Sequence, residues 1–263
     1  MSGSRVVRIW TQIAEQSRGA PVSLAHACAA AVSGVGVDGA GVTMMAGTTA
    51  RETLHATDEI AARLEELQLT LGQGPCMDTF TERGPVLAAD LSAPEYLTRW
   101  PAFTPAALDR GARAVFALPL QIGAMHLGVL DLYRARPVGL GAQQLADALT
   151  FADTVGMLLL DVAAGTQPEI AELAWQRDDP TAHPAQVHQA TGMIIAQLGL
   201  RAEAAFARLR AYAYAHDRPL GDVARDIVER RLRFHADPGF DADPGFDAPR
   251  FERPGPAGGA DQP

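Results

Sequence analysis

The chain has 263 residues with 48% hydrophobic side chains, enough for two globular domains and unlike a disordered polypeptide; its longest uncharged stretches, 21–37 and 114–130, are broken by Gly, Pro, His or Gln and do not read as membrane spans. All 22 basic side chains are arginine, lysine and asparagine are absent, and the two cysteines, Cys28 and Cys76, exclude a disulfide framework; with no signal-peptide pattern at the start, a reducing cytoplasm is the expected location. The formal charge of -9 hides one basic segment, residues 185–235, with eight arginines against five acids, which fits a polyanion partner although charged faces are more often simply solvated.

Taken in order, residues 5–18 place Val6, Ile9, Trp10 and Ile13 on one helical face, and 22–32 continue as an alanine-rich helix. Gly34, Gly36, Gly39 and Gly41 punctuate a turn into a strand over 41–46, with which 53–57 can pair as a hairpin. Asp58 starts a helix whose Ile60, Leu64, Leu67 and Leu71 lie three or four residues apart. Then come the segment Gly72-Gln73-Gly74-Pro75-Cys76, a strand at 85–91 and a helix running through Trp100 to Asp109. Two strands at 114–122 and 125–133 flank a tight Gly123-Ala124 turn.

The helix expected from Ala142 to about Val162 carries two apolar stripes. Ala148, Phe151, Val155, Leu158 and Val162 follow a three-four rhythm, and Leu145, Leu149, Ala152 and Leu159 occupy a neighbouring face. One stripe can pack on the sheet and the other can serve a partner. A homodimer through Phe151, Val155, Leu158 and Val162 is therefore expected, the alternative being one wide face buried within a single domain. A linker over 165–183 follows, interrupted at Gly165–Pro168, helical again over 169–177 and closed by Asp178-Asp179-Pro180.

Residues 184–235 read as three short amphipathic helices. Val187, Ala190, Thr191, Ile194 and Leu198 mark the first, between Pro184 and Gly199; Ala205, Phe206, Leu209 and Ala213 mark the second; Leu220, Val223, Ala224 and Ile227 mark the third, after Asp217 and Pro219. Beyond Phe234 the run Asp237-Pro238-Gly239-Phe240-Asp241-Ala242 recurs at Asp243–Ala248, and residues 236–263 are expected to be a disordered acidic Pro/Gly tail.

The run Gln189-Ala190-Thr191-Gly192-Met193-Ile194, then Glu203-Ala204-Ala205-Phe206 with Leu209-Arg210, then Arg218-Pro219-Leu220 and Asp222-Val223-Ala224, closely resembles the ANTAR domain. The resemblance implies an antitermination module that binds paired hairpins in a leader transcript. Three positions depart from the family pattern: Thr191 where a basic residue is often found, Arg201 where a Ser or Asp usually caps the second helix, a loss of about 1 kcal/mol, and Asp217 where an Asn is common. Upstream, the Gly-Gln-Gly-Pro-Cys segment and the strand Leu127-Gly128-Val129-Leu130-Asp131-Leu132 resemble GAF domains that precede ANTAR domains in actinobacteria. The implied architecture is α+β: a GAF sensor domain over 1–164 (an antiparallel sheet flanked by helices), a helical linker over 165–183, and a three-helix ANTAR domain over 184–235.

RNA loops are read by stacking bases on aromatic or guanidinium planes while arginines neutralise phosphate. With the resemblance, this makes Gln189, Thr191, Arg208, Arg210, Tyr214 and Arg218 the candidate RNA contacts, Arg210, Tyr214 and Arg218 lying on one side of the second helix and its exit. In the GAF-like region Cys76, His55 and His126 are the pocket candidates for a small molecule, haem or redox signal. No Cys/His metal spacing accompanies them, no cofactor is specified, and no catalytic constellation is present. Two rival readings stay open: a GAF-type enzyme that reduces free methionine sulfoxide through Cys76, and a helical DNA reader.

Overall fold

The computed structural model describes residues 2–46, 50–163, 184–216 and 218–235. The first domain is built on five antiparallel strands, β1 (Gly39–Ala46), β2 (Ala50–Ala56), β3 (Val86–Ala88), β4 (Ala114–Ile122) and β5 (Met125–Arg134), in the order β2-β1-β5-β4-β3. The central strands are apolar on both sides because both faces of the sheet are covered. On one face α1 (Ser2–Ser17), α2 (Leu24–Val35) and α7 (Ala142–Ala163) bury Ile9, Ile13, Cys28, Phe116, Leu118, Leu130 and Leu132 in a common core. On the other lie α3 (Glu59–Leu71), α4 (Pro75–Glu82), α5 (Pro94–Arg99) and α6 (Phe103–Asp109), with Leu64, Cys76, Trp100, Phe103, Val115, Ala117 and Val129 beneath them.

The alternation of strand side chains puts Leu130 and Leu132 on the first face and Val129, Asp131 and Tyr133 on the second. An acid thus enters a sheet face packed by helices. Asp131 pairs in register with Gly41 of β1 and Ala117 of β4.

Most of the expected elements occur, with three corrections. The helix expected over Trp100 to Asp109 begins at Phe103, and a short helix not expected precedes it: Trp100 ends α5 at φ -132 and ψ 69, since the residue before Pro101 is driven out of the α region. The strand at 85–91 is only three residues long. The stripe assigned to a homodimer is the inner face of α7: Phe151 and Val155 are fully buried and Leu158 nearly so, packed into the core of their own domain. The large apolar residues that α7 exposes are Leu149 and Met157. Residues 165–183, Asp217, the side chain of Val162 and the tail beyond His235 lie outside the described residues.

The second domain is a three-helix unit of α8 (Pro184–Leu198), α9 (Ala202–Ala215) and α10 (Leu220–Val228). Ala190, Ile194, Ala205, Phe206, Leu209, Ala213, Leu220, Val223, Ala224 and Ile227 close its core, as the helical spacing requires. Gly199 leaves α8 in the left-handed region at φ 67, and Arg201, at the N-cap of α9, contributes no side-chain cap bond. Phe234 returns to this core, its N–H donating to Gln197 Oε1 at 3.0 Å.

Candidate functional site

The three-helix unit presents its candidate RNA contacts unequally. Gln189 is exposed on α8. Thr191 is half-buried and donates its hydroxyl to the Val187 carbonyl at 2.7 Å, so this side chain is turned back onto its own helix. On α9 Tyr214 is 62% exposed, a free aromatic face of the kind that stacks on a splayed base. Tyr212, by contrast, stacks on His216 with ring centroids 3.9 Å apart and meets Phe234 edge-on. It closes the rim of the small core. Arg208 is half-buried.

Arg218 is held by Asp226 at 2.6 Å, and Arg231 reaches the same carboxylate at 2.7 Å. The pairing with Arg218, then with Arg231, holds the Asp226 carboxyl below its ordinary range. Two of the positive charges near the α9 exit are therefore partly neutralised from within the unit.

Arg210 does not project into solvent. Its Nε donates to the Thr70 carbonyl at 2.8 Å and a terminal nitrogen donates to the Leu71 carbonyl at 2.7 Å. Those carbonyls belong to the last turn of α3, where a helix has unpaired acceptors and a partial negative charge. Leu69 of the same turn packs against the three-helix core, and the guanidinium lies 5.7 Å from the Phe206 ring centroid. Burial lowers the Arg210 pKa from its ordinary value. At Gly72, which ends α3 with φ +63, a β-carbon would collide with the Arg210 guanidinium. Sequence reasoning identified Arg210 but not its seat in the first domain.

The other face of α3 covers a buried polar cluster. Asp58 caps the helix through the Ala61 N–H at 2.8 Å, and the helix then directs Glu65 and Gln68 inward. Gly74, at φ 125, and Pro75 turn the chain sharply into α4. The result is that Cys76 starts that helix underneath α3. Glu65, Cys76 and Asp131 are all buried, with ligand atoms within 4.8 Å of one another. Thr43 donates to Glu65 Oε2 at 2.6 Å, Gln68 Nε2 donates to Asp131 Oδ2 at 2.9 Å, and the Cys76 N–H donates to Gln68 Oε1 at 2.7 Å. Burial, with the neighbouring Asp131, pushes the Glu65 carboxyl well above the usual carboxylate range, and burial pushes Asp131 up to about 6.

Of the three pocket candidates, only Cys76 joins this cluster. His55 on β2 and His126 beside the β4–β5 turn are half-buried and stand outside it. Sequence reasoning missed Glu65, Gln68 and Asp131. The available signals were the single acid in an otherwise apolar strand and the Glu-x-x-Gln spacing, which puts both side chains on one helix face.

The family model for the ANTAR domain matches residues 181–228. No curated protein matches the chain. Solved structures similar to it include the GAF domain of a phosphoenolpyruvate-protein phosphotransferase from Coxiella burnetii, 15% identical, with 63% of this chain and 99% of that one covered and a TM-score of 0.47. The GAF-B domain of DevS from Mycobacterium smegmatis is 16% identical, covering 55% and 95% with a TM-score of 0.40. A type II free methionine-R-sulfoxide reductase from Thermoplasma acidophilum is 14% identical, covering 58% and 94% with a TM-score of 0.37. The chain thus carries an ANTAR domain, matched over residues 181–228, behind an α+β domain built on five antiparallel strands.

Proposed function

We propose that the chain is an RNA-binding antitermination regulator whose first domain governs the access of the ANTAR domain to hairpins in a leader transcript. The observation that carries this reading is the ANTAR match on a closed three-helix unit. Gln189 and Tyr214 are exposed on that unit, with Arg208 half-buried and the Arg218 and Arg231 guanidinium groups beside them on the same small body. In this reading Tyr214 stacks on a loop base and the arginines engage phosphate. A role on nascent transcripts places the protein in the cytoplasm; among the described residues no helix is long and apolar enough to cross a membrane.

Control is supported by the seat of Arg210. While its guanidinium closes the end of α3 it is withheld from phosphate, so the docked unit is the weaker RNA binder. A signal that loosens α3 releases the arginine, and by linkage RNA that captures Arg210 loosens α3. The signal enters through the α+β domain as a small ligand or ion.

The environment of Cys76 argues against the reductase reading. The residue is 1% exposed and its neighbours are two carboxylates, which oppose formation of the nucleophilic thiolate. For the DNA reading, competition decides: full-length protein bound to a labelled tandem-hairpin RNA is challenged with unlabelled hairpin RNA or with duplex DNA of equal charge. Displacement by RNA alone is the expected result, and preferential displacement by the duplex makes the chain a DNA reader.

A further inference from the structure

We propose that Glu65, Cys76 and Asp131 form a binding site for one divalent first-row transition-metal ion. The three donors converge from separate elements: the middle of α3, the first turn of α4 and the centre of β5. All three are buried, and their ligand atoms already lie within 4.8 Å of one another. At metal–oxygen and metal–sulfur bond lengths of about 2.0–2.3 Å, a tetrahedral ion needs its donors about 3.3–3.7 Å apart. Side-chain adjustments of about an ångström suffice.

The second observation is a vacant acceptor. Asp131 Oδ1 is buried with no hydrogen-bond partner, while Oδ2 is fixed by Gln68. Such an atom is costly to bury unless something positive faces it. Thr43 and Gln68, which hold the two carboxylates, are neutral, so the positive charge facing this sealed pair is either a proton held between them or a bound ion. Both carboxylates, but not Cys76, also border a cavity of about 10 Å³. Gly41 borders it, and a β-carbon there would collide with Glu65 Oε1.

The supporting hydrogen bonds are those a metal site needs. Thr43 orients Glu65, and Gln68 holds Asp131 with one end of its amide and the Cys76 backbone with the other. Such outer partners fix ligand orientation and raise affinity. The donor set names the class of ion. A thiolate with two carboxylates suits borderline ions such as Zn²⁺ or Fe²⁺, whereas Mg²⁺ and Ca²⁺ take all-oxygen sites. On binding, the Cys76 thiol proton and any proton held between the carboxylates leave to solvent as the ion enters. No electron transfer is involved. The site stands on the α+β domain alone and does not depend on RNA binding.

The test is Co²⁺ titration of the chelator-stripped full chain, followed by displacement with Zn²⁺ or, without oxygen, Fe²⁺. One equivalent of Co²⁺ is expected to bind with a thiolate-to-cobalt charge-transfer band. That band is expected to persist in Cys28→Ser, to disappear in Cys76→Ser, and to yield to whichever of Zn²⁺ and Fe²⁺ binds more tightly. Folded wild-type protein that takes up none of the three ions stoichiometrically overturns the proposal. So does a charge-transfer band that survives in Cys76→Ser or is lost in Cys28→Ser, and the Cys28→Ser arm stays decisive if Cys76→Ser does not fold.

Discussion

Arg210 and Leu71 join the two domains: a guanidinium nitrogen of the ANTAR helix donates at 2.7 Å to the carbonyl that ends α3. The neighbouring Thr70 carbonyl accepts a second bond at 2.8 Å. Because α3 also carries Glu65 and Gln68, one helix has the buried cluster on one side and the ANTAR domain at its end.

Breaking this seat from the α3 side leaves the ANTAR surface intact. Leu69→Asp puts a charge into the apolar contact with the three-helix core and is expected to undock the unit. RNA affinity rises as the competent fraction grows, and amide exchange accelerates in the last turn of α3. A folded Leu69→Asp protein whose RNA affinity is unchanged, with undiminished exchange protection, contradicts the control mechanism without touching the RNA reading.

Asp226 restrains two arginines at once. Asp226→Asn frees Arg218 and leaves Arg231 its pair with Glu229, and is expected to tighten RNA binding and to steepen its salt dependence by about one counterion. The pH dependence follows from the depressed carboxyl of Asp226. Its contribution to stability is present above the ordinary aspartate value, about pH 4, and is lost as pH falls through the depressed value. Melting curves of wild type and Asp226→Asn therefore differ near neutrality and converge in acid.

Both cysteines should be inert in the native protein. Cys28 is fully buried, and burial followed by the nearby Glu65 charge pushes its thiol up to about 12; Cys76 is sealed beneath α3. A thiol-disulfide reagent is expected to label neither until guanidinium unfolds the domain. Rapid labelling of Cys76 in the native state would show the cluster to be open to solvent.

Phe206 is buried in the core of the three-helix unit. Phe206→Ala is expected to cost about 3–5 kcal/mol, enough to unfold so small a unit. Circular dichroism should show loss of the three-helix signal, with the α+β domain melting as a separate transition.

The periodic parts of this molecule were legible in the sequence. Ile194, Leu209 and Val223 sit in one core because each repeats at helical spacing, and β4 and β5 follow from two apolar runs around Gly123. Features that depend on contacts far apart in the chain were not. Nothing local shows that Asp131 meets Glu65, 66 positions earlier, or that Arg210 reaches a helix end about 140 positions earlier. Periodicity also cannot say whether two apolar stripes serve two partners or one: on α7, Ala152 and Leu159 of the second stripe are buried in the same core as Phe151 and Val155, the wide single face that was the alternative to a dimer. Arg201 at an N-cap shows that packing can maintain a helix start without a favourable local residue.

The most direct test of the central claim is equilibrium binding of the full chain to a tandem-hairpin leader RNA across a salt series, with Tyr214→Ala and Leu69→Asp beside it. Saturable binding that weakens with salt is expected, reduced by Tyr214→Ala by the equivalent of about 1–3 kcal/mol for a lost stacking contact and strengthened by Leu69→Asp. Absence of binding at low salt by both the folded wild type and the folded Leu69→Asp protein would contradict an RNA-binding function.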